Sequence, residues 1–384
     1  MKFEWKECQL GDLITFQRGH DLPKTKMQGG NYPVVGSNGI IGYHNEYTTE
    51  SPSITIGRSG NVGKPFLYNG KSWSHNTSLY IKEYKNVDPI FIYYFLQTLD
   101  LGNYAGGSAV PTLNRNHIHT LNVCVPMASE EQKQIASILS SLDDKIMLNT
   151  AINENLEQQA LALFRQFFMD YAPYGGVAPS NWTEVSLDDV CTRITDGSHY
   201  SPADSPDSPY PMYSVKDMET YGFNPSACKH ISEEDFRKMK KGDCVPLLND
   251  ILVAKDGSYL KEIFICSEDK DEAILSSIAI FRPDINIIMP EILLYLLKQP
   301  SVRQDVGDNY VSGSALPRIV LKDFKKYRFM LPPMDEQLKI GSVLHAIRMQ
   351  TKVNIDEIQC LSSTRDALLP KLMSGEIDVS KVRI

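Results

Sequence analysis

The sequence predicts an α+β fold built twice: two similar globular domains, each followed by one long helix, in a pseudo-twofold internal repeat. Two observations carry this. "SEEQKQIASILSSLDDKI" from Ser129 is echoed by "MDEQLKIGSVLHAIRMQ" from Met334, each after a proline-tipped apolar run, "VCVPMA" and "FMLPPM". The segments upstream then match in the same order, and a repeat of this length is far too long for a solenoid.

The opening "WKECQLGDLITF" from Trp5 matches "WTEVSLDDVCTR" from Trp182, and both tryptophans read as core anchors. "ITIGRSGNVGKPF" from Ile54 matches "ILVAKDGSYLKEI" from Ile251, each a β run folded over a Gly-containing turn. "DPIFIYYFLQTL" and "MPEILLYLLKQP" read as local helices, with Pro near the start and apolar residues crowding one side. "GSAVPTL" from Gly107 answers "GSALPRI" from Gly313. The second copy is longer in its middle, where "HYSPADSPDSPYPMYSVKDMETYG" has no evident counterpart.

Each unit ends in a helix. Ser129 is a candidate N-cap, with Gln132 placed for a capping box. Apolar residues follow in three- and four-residue steps through Ile135, Leu139, Leu142 and Ile146 to Phe167, with slips at Asn149 and Gln159. The second helix runs likewise from Leu338 to Leu372, and Pro370 is expected to kink it. Neither stripe is wide enough for a full core, so the natural partner of each helix is the other one. The expected boundaries are domain 1–128, helix 129–170, linker 171–181, domain 182–333, helix 334–374 and tail 375–384.

The 384 residues carry a net charge of −8, which argues against nucleic-acid binding by bulk charge. Residues 1–128 differ from that average, with 11 Lys and Arg against 9 Asp and Glu; residues 182–333 hold 18 against 24. The 7 cysteines are scattered and never spaced C-x-x-C, so reduced thiols are expected rather than disulfides or zinc. No apolar run reaches the ~20 residues of a membrane helix and no signal-peptide core is present, which points to the cytoplasm and away from a membrane.

No catalytic constellation holds. "GRSGNVGKP" fails as a phosphate loop, because Arg58 stands where the first Gly belongs and Pro65 where Ser or Thr belongs. No G-x-G-x-x-G opens a helix, and "LPPM" lacks the polar and aromatic residues of an adenine-methylating loop. His117 and His119 in "NRNHIHT", read at strand spacing, have no partner that suggests a metal. "EEDFRKMKKGD" from Glu233 reads as a solvated amphipathic helix end.

The duplicated W-x5-G/D-D opening, the "GRSG"/"AKDG" hairpin, the "GSAVP"/"GSALP" segment and the P-x-x-EQ-x-x-I helix head, in that repeated order, resemble the specificity subunit of type I restriction–modification systems over essentially the whole chain. The resemblance implies two target recognition domains, each reading one half of a split, asymmetric double-stranded DNA site. It also implies two long antiparallel helices forming a coiled-coil-like spacer that docks two DNA adenine methyltransferase subunits, with two restriction/translocase subunits completing the complex. The subunit itself is then not an enzyme and holds no cofactor; S-adenosylmethionine, ATP and Mg belong on the partners. A duplicated protein–protein scaffold without DNA recognition is the alternative.

On that reading the hairpins face DNA. Arg58 and Lys64 suit phosphates or guanine edges, and Ser59 and Asn61 are adaptable hydrogen bonders. Lys255, Asp256, Ser258 and Lys261 sit at matching places. Arg18, His20, Lys24 and Lys26 form a second loop, answered by Arg193, Ser198 and His199.

Overall fold

A computed structural model of the chain describes residues 4–27, 29–107, 111–313 and 315–381. It divides into two compact units, residues 1–149 with 356–384, and residues 150–355. The division falls inside both long helices, Ser129–Phe168 and Met334–Met373, so each unit holds a globular domain, the head of one helix and the end of the other.

In the first unit the strand Ile14–Arg18 lies at the edge of a four-stranded antiparallel sheet, followed by Ser78–Tyr84, Ser53–Gly57 and Pro65–Tyr68. A second sheet centres on Tyr32–Gly36, antiparallel to Gly39–His44 and parallel to Trp73–Ser74. The strand Trp5–Gln9 pairs with Asn122–Pro126, which leads into the first long helix. Apolar side chains of Ile14–Arg18 and Ser53–Gly57 meet the helix Pro89–Gln97 in a core that includes Phe16, Ile54, Ile56, Phe91 and Phe95. Ile135 and Leu139 from the helix head, and Leu372, Met373 and Val379 from the chain end, complete it.

The second unit repeats this plan strand for strand. Cys191–Asp196, Ile278–Pro283, Ile251–Ala254 and Ile263–Ile265 form the four-stranded sheet. Tyr210–Tyr213 is antiparallel to Lys229–Ile231 and parallel to Ala273–Ile274. Part of the stretch expected to lack a counterpart is therefore the second copy of Tyr32–Gly36. The match is hidden because the chain between its first two strands is longer and includes the pair Met218–Glu219 and Gly222–Phe223. The core contains Phe281, Tyr295, Phe324 and Leu344, closed by Ala160, Phe164 and Phe168 from the end of the first long helix.

The repeated helix opening has a different cause from the expected capping box. Gln132 is 2% exposed; its Oε1 accepts from the Asp88 amide at 2.8 Å and its Nε2 donates to Pro126 O at 2.8 Å. Gln337 is 1% exposed and does the same work, accepting from Met289 N and donating to Ile287 O and Pro332 O. Each glutamine thus ties the long helix to the start of the short one, because buried backbone groups outside regular structure need partners. The preceding glutamates receive the indole N–H groups, Trp5 to Glu131 at 3.1 Å and Trp182 to Glu336 at 2.9 Å, which fits the expected anchoring role of both tryptophans.

Within each unit the long helices share apolar and polar contacts. Their ends bury against the globular cores, and polar residues meet between. In the first unit Asn149 donates to Glu357 at 2.7 Å and Arg365 binds Asp143 at 2.6 Å, an antiparallel register. In the second, Asn354 donates to Asn153 at 2.7 Å, both nearly buried. The helix Met334–Met373 continues three residues beyond Pro370. Residues 115–119 form a short helix, so His117 and His119, read at strand spacing, are not on a strand. "EEDFRKMKKGD" is the amphipathic helix Glu233–Lys241, capped by Ser232 and buried at Phe236 and Met239.

Candidate nucleic-acid interface

The turn after Ser53–Gly57 is held by backbone bonds on three sides. Arg58 N donates to Thr77 O at 2.8 Å, Leu113 N donates to Arg58 O at 2.8 Å, and Gly63 N returns to Gly57 O at 2.8 Å. This places half-buried Arg58 beside exposed Arg18, which ends the edge strand Ile14–Arg18. Both line a concavity of about 520 Å3 with Thr112, Asn114, Arg115 and His117. Arg58 Nη1 also donates to Asn76 O at 3.4 Å. Burial, and secondarily the neighbouring Arg18 charge, push the Arg58 guanidinium below its ordinary range. Exposed Asp21 lies 3.8 Å from Arg18 Nη2 and partly offsets the two charges.

Ser59 pairs with Thr112 along the same edge, while Asn61 and Lys64 are exposed on the turn, Lys64 5.8 Å from the Phe66 ring. Lys24 and Lys26 are exposed in the 3-10 turn Lys24–Lys26. His20 departs from the open-loop reading: its ring packs near Trp73 and Tyr80, and its backbone N donates to Ser74 O. Arg115 and His117 were missed in the sequence, where "NRNHIHT" suggested only a metal question. His119 faces inward, its Nε2 accepting from Phe16 N at 2.9 Å. Burial first, then Arg115 and Lys85, lower its pKa.

The second unit makes the same backbone frame. Gly197 N donates to Ile278 O as Gly19 N does to Ser78 O, Lys255 N to Ser277 O as Arg58 N does to Thr77 O, and Ile319 N to Lys255 O as Leu113 N does to Arg58 O. Asp196 therefore occupies the place of Arg18, Lys255 that of Arg58 and Asp256 that of Ser59. The chemistry is inverted. Lys255, expected as an open contact, has a side chain only 7% exposed, with Nζ 3.2 Å from both Asp196 and Asp256. Asp256 Oδ1, though in ion-pair range, accepts no hydrogen bond. Arg193 is held by Asp243 at 2.6 Å, and Asp243 and Asp250 also hold Arg282. Ser198 closes a local turn with Tyr200. His199 is exposed and 3.3 Å from Asp196; Ser258 is exposed; Lys261 lies 3.4 Å from Glu262.

Ser108, Ala109, Val110 and Ser314, within the "GSAVP" and "GSALP" segments, lie outside the described residues. Among the described residues no group of three or more His, Cys, Asp or Glu is placed to hold a metal, and no helix is long and apolar enough to cross a membrane.

The family model for the type I restriction modification DNA specificity domain matches residues 2–158 and 179–359, one copy on each repeat. The chain is 25% identical over 311 residues to the type I restriction enzyme MjaIX specificity subunit of Methanocaldococcus jannaschii, covering 76% of this chain and 70% of that protein. It is 24% identical over 328 residues to the HindI specificity subunit of Haemophilus influenzae, covering 70% and 71%. Its fold is similar to the crystal structure of a type I restriction–modification S subunit from M. genitalium, with a TM-score of 0.65 at 16% identity and 96% coverage of both chains.

Proposed function

The chain belongs to the type I restriction modification DNA specificity family, a family of non-catalytic subunits, and from that premise we propose that it reads a bipartite, asymmetric DNA site, one half with each globular domain. The observation that carries this reading is a single backbone frame built twice with different side chains at equivalent positions: Arg18 and Arg58 in one, Asp196 and Lys255 in the other. A shared frame positions the two surfaces alike, and the exchanged side chains make them chemically different, so the two domains do not read the same half-site.

The two 40-residue helices serve as the spacer. At 1.5 Å per residue each is a rod of ~60 Å, and its length sets the unread gap between half-sites. Their equivalent heads suit two equivalent partners, which we assign as two DNA adenine methyltransferase subunits; two restriction/translocase subunits complete the assembly. S-adenosylmethionine, ATP and Mg act on those partners, and the complex works in the cytoplasm.

Methylome sequencing with and without the gene tests the reading. The expected result is one split adenine-methylated motif that disappears with the gene; no dependent motif refutes it. Residues inserted within 140–160 should change the gap and leave both half-sequences intact, and an unchanged gap in a folded variant refutes the spacer.

A further inference from the structure

We propose that the equivalent position in the two domains has opposite uses: in the first it seats an acceptor-bearing group of the DNA, and in the second it is closed on itself and supports the fold. The proposal rests on the DNA-reading function above and assigns that function to one site.

Arg18, Arg58 and Arg115 line one concavity and present only donors, and exposed Asp21 at 3.8 Å from Arg18 supplies one negative charge against three positive ones, so an acceptor-rich group entering the concavity is favoured. The bond to Asn76 O and the backbone bonds either side orient Arg58, and among the described residues its other side-chain N–H groups have no hydrogen-bond acceptor. A planar guanidinium matches a pair of acceptors, whether guanine N7 and O6 or two phosphate oxygens. In the second domain two carboxylates flank one buried ammonium, so Lys255 has neither exposure nor uncompensated charge to offer.

The test uses the full complex with its methyltransferase partners and a duplex bearing the methylome-defined site. Arg58→Ala should weaken binding about 10- to 100-fold, the range for losing one bidentate contact, and the loss should vanish when the first half-site is scrambled. If the seated group is a guanine, 7-deazaguanine at one position of that half reproduces the loss in the wild type and adds nothing in Arg58→Ala. If it is a phosphate, a single methylphosphonate does so instead. Lys255→Met should leave affinity within about twofold while lowering the melting temperature of the second unit. The set Asp196→Asn, Lys255→Met, Asp256→Asn removes the charges together and keeps the test open if the single variant does not fold. Wild-type affinity in Arg58→Ala, a loss that neither modification reproduces, or an affinity loss in the folded charge-free set comparable to that of Arg58→Ala overturns the proposal. A wild-type complex that binds no split site overturns instead the function it rests on.

Discussion

Replacing Gln132 by Ala isolates the tie between the first long helix and its domain. The side chain is buried and serves two backbone groups, Asp88 N and Pro126 O, both at 2.8 Å. Asp88 is also the N-cap of Pro89–Gln97, its Oδ1 accepting from Ile90 N and Phe91 N at 2.9 Å. Each orphaned buried group costs about 1–3 kcal/mol, so the two together cost about 2–6 kcal/mol, less where water enters. Hydrogen-exchange mass spectrometry on the full chain reads this locally. Amides of residues 88–97 should exchange at least about 30-fold faster, the factor for about 2 kcal/mol, while residues 289–297 stay unchanged. Gln337→Ala should reverse the pattern and have the larger effect, because it orphans three backbone groups and Met289 supplies no side-chain cap. Exchange within threefold of wild type, or an equal rise in both segments, would refute the latch.

Acid should loosen the first unit through His119. Its folded pKa lies below the unfolded value of about 6.5, so the stability contributed by the neutral ring is present above that pH and is lost as pH falls through the lowered value; thermal melts from pH 7.5 to 5 should show a drop that His119→Asn flattens. Gly19→Ala and Gly197→Ala should each damage only their own unit, since a Cβ would sit 2.1 Å from His75 O or 2.3 Å from Ile274 O, and separate half-site binding assays check this. Leucine at both Asn153 and Asn354 should raise the melting temperature of the second unit while loosening helix register, because a buried polar pair costs stability and specifies alignment; spin-label distances within that unit report the loosening.

Much of the architecture was legible because repetition doubles every weak signal. The "GRSG" turn alone is a common surface turn, but its echo at "AKDG" in the same order marks a frame, and both form hairpins. The helix heads were found for the right residues and the wrong reason. "SEEQ" from Ser129 is the local pattern of a capping box, whereas the bonds of Gln132, like those of Gln337, run largely to backbone outside their own helix. Tyr210–Tyr213 was not legible because it shares little more than "YP" with Tyr32–Gly36 and an insertion follows it, while strand pairing is set by backbone bonds.

Lys255 shows why matched spacing does not transfer a binding role. Arg58 and Lys255 occupy the same turn, and exposure is decided by what faces them from the edge strand, 40 residues away in one copy and 59 in the other. In the first copy that residue is Arg18, which repels a buried cation and favours an open site. In the second it is Asp196, which with Asp256 makes burial of the ammonium affordable, since a buried charge persists only when paired. Asp256 stands against Ser59 in the aligned repeats, whereas Asp196 falls one residue out of the Trp5–Trp182 alignment and is matched to Arg18 only by the backbone bonds of Gly19 and Gly197. The unit of comparison between the two domains is therefore the cation together with its facing edge, and which residue faces the cation is fixed by strand pairing rather than by spacing along the chain.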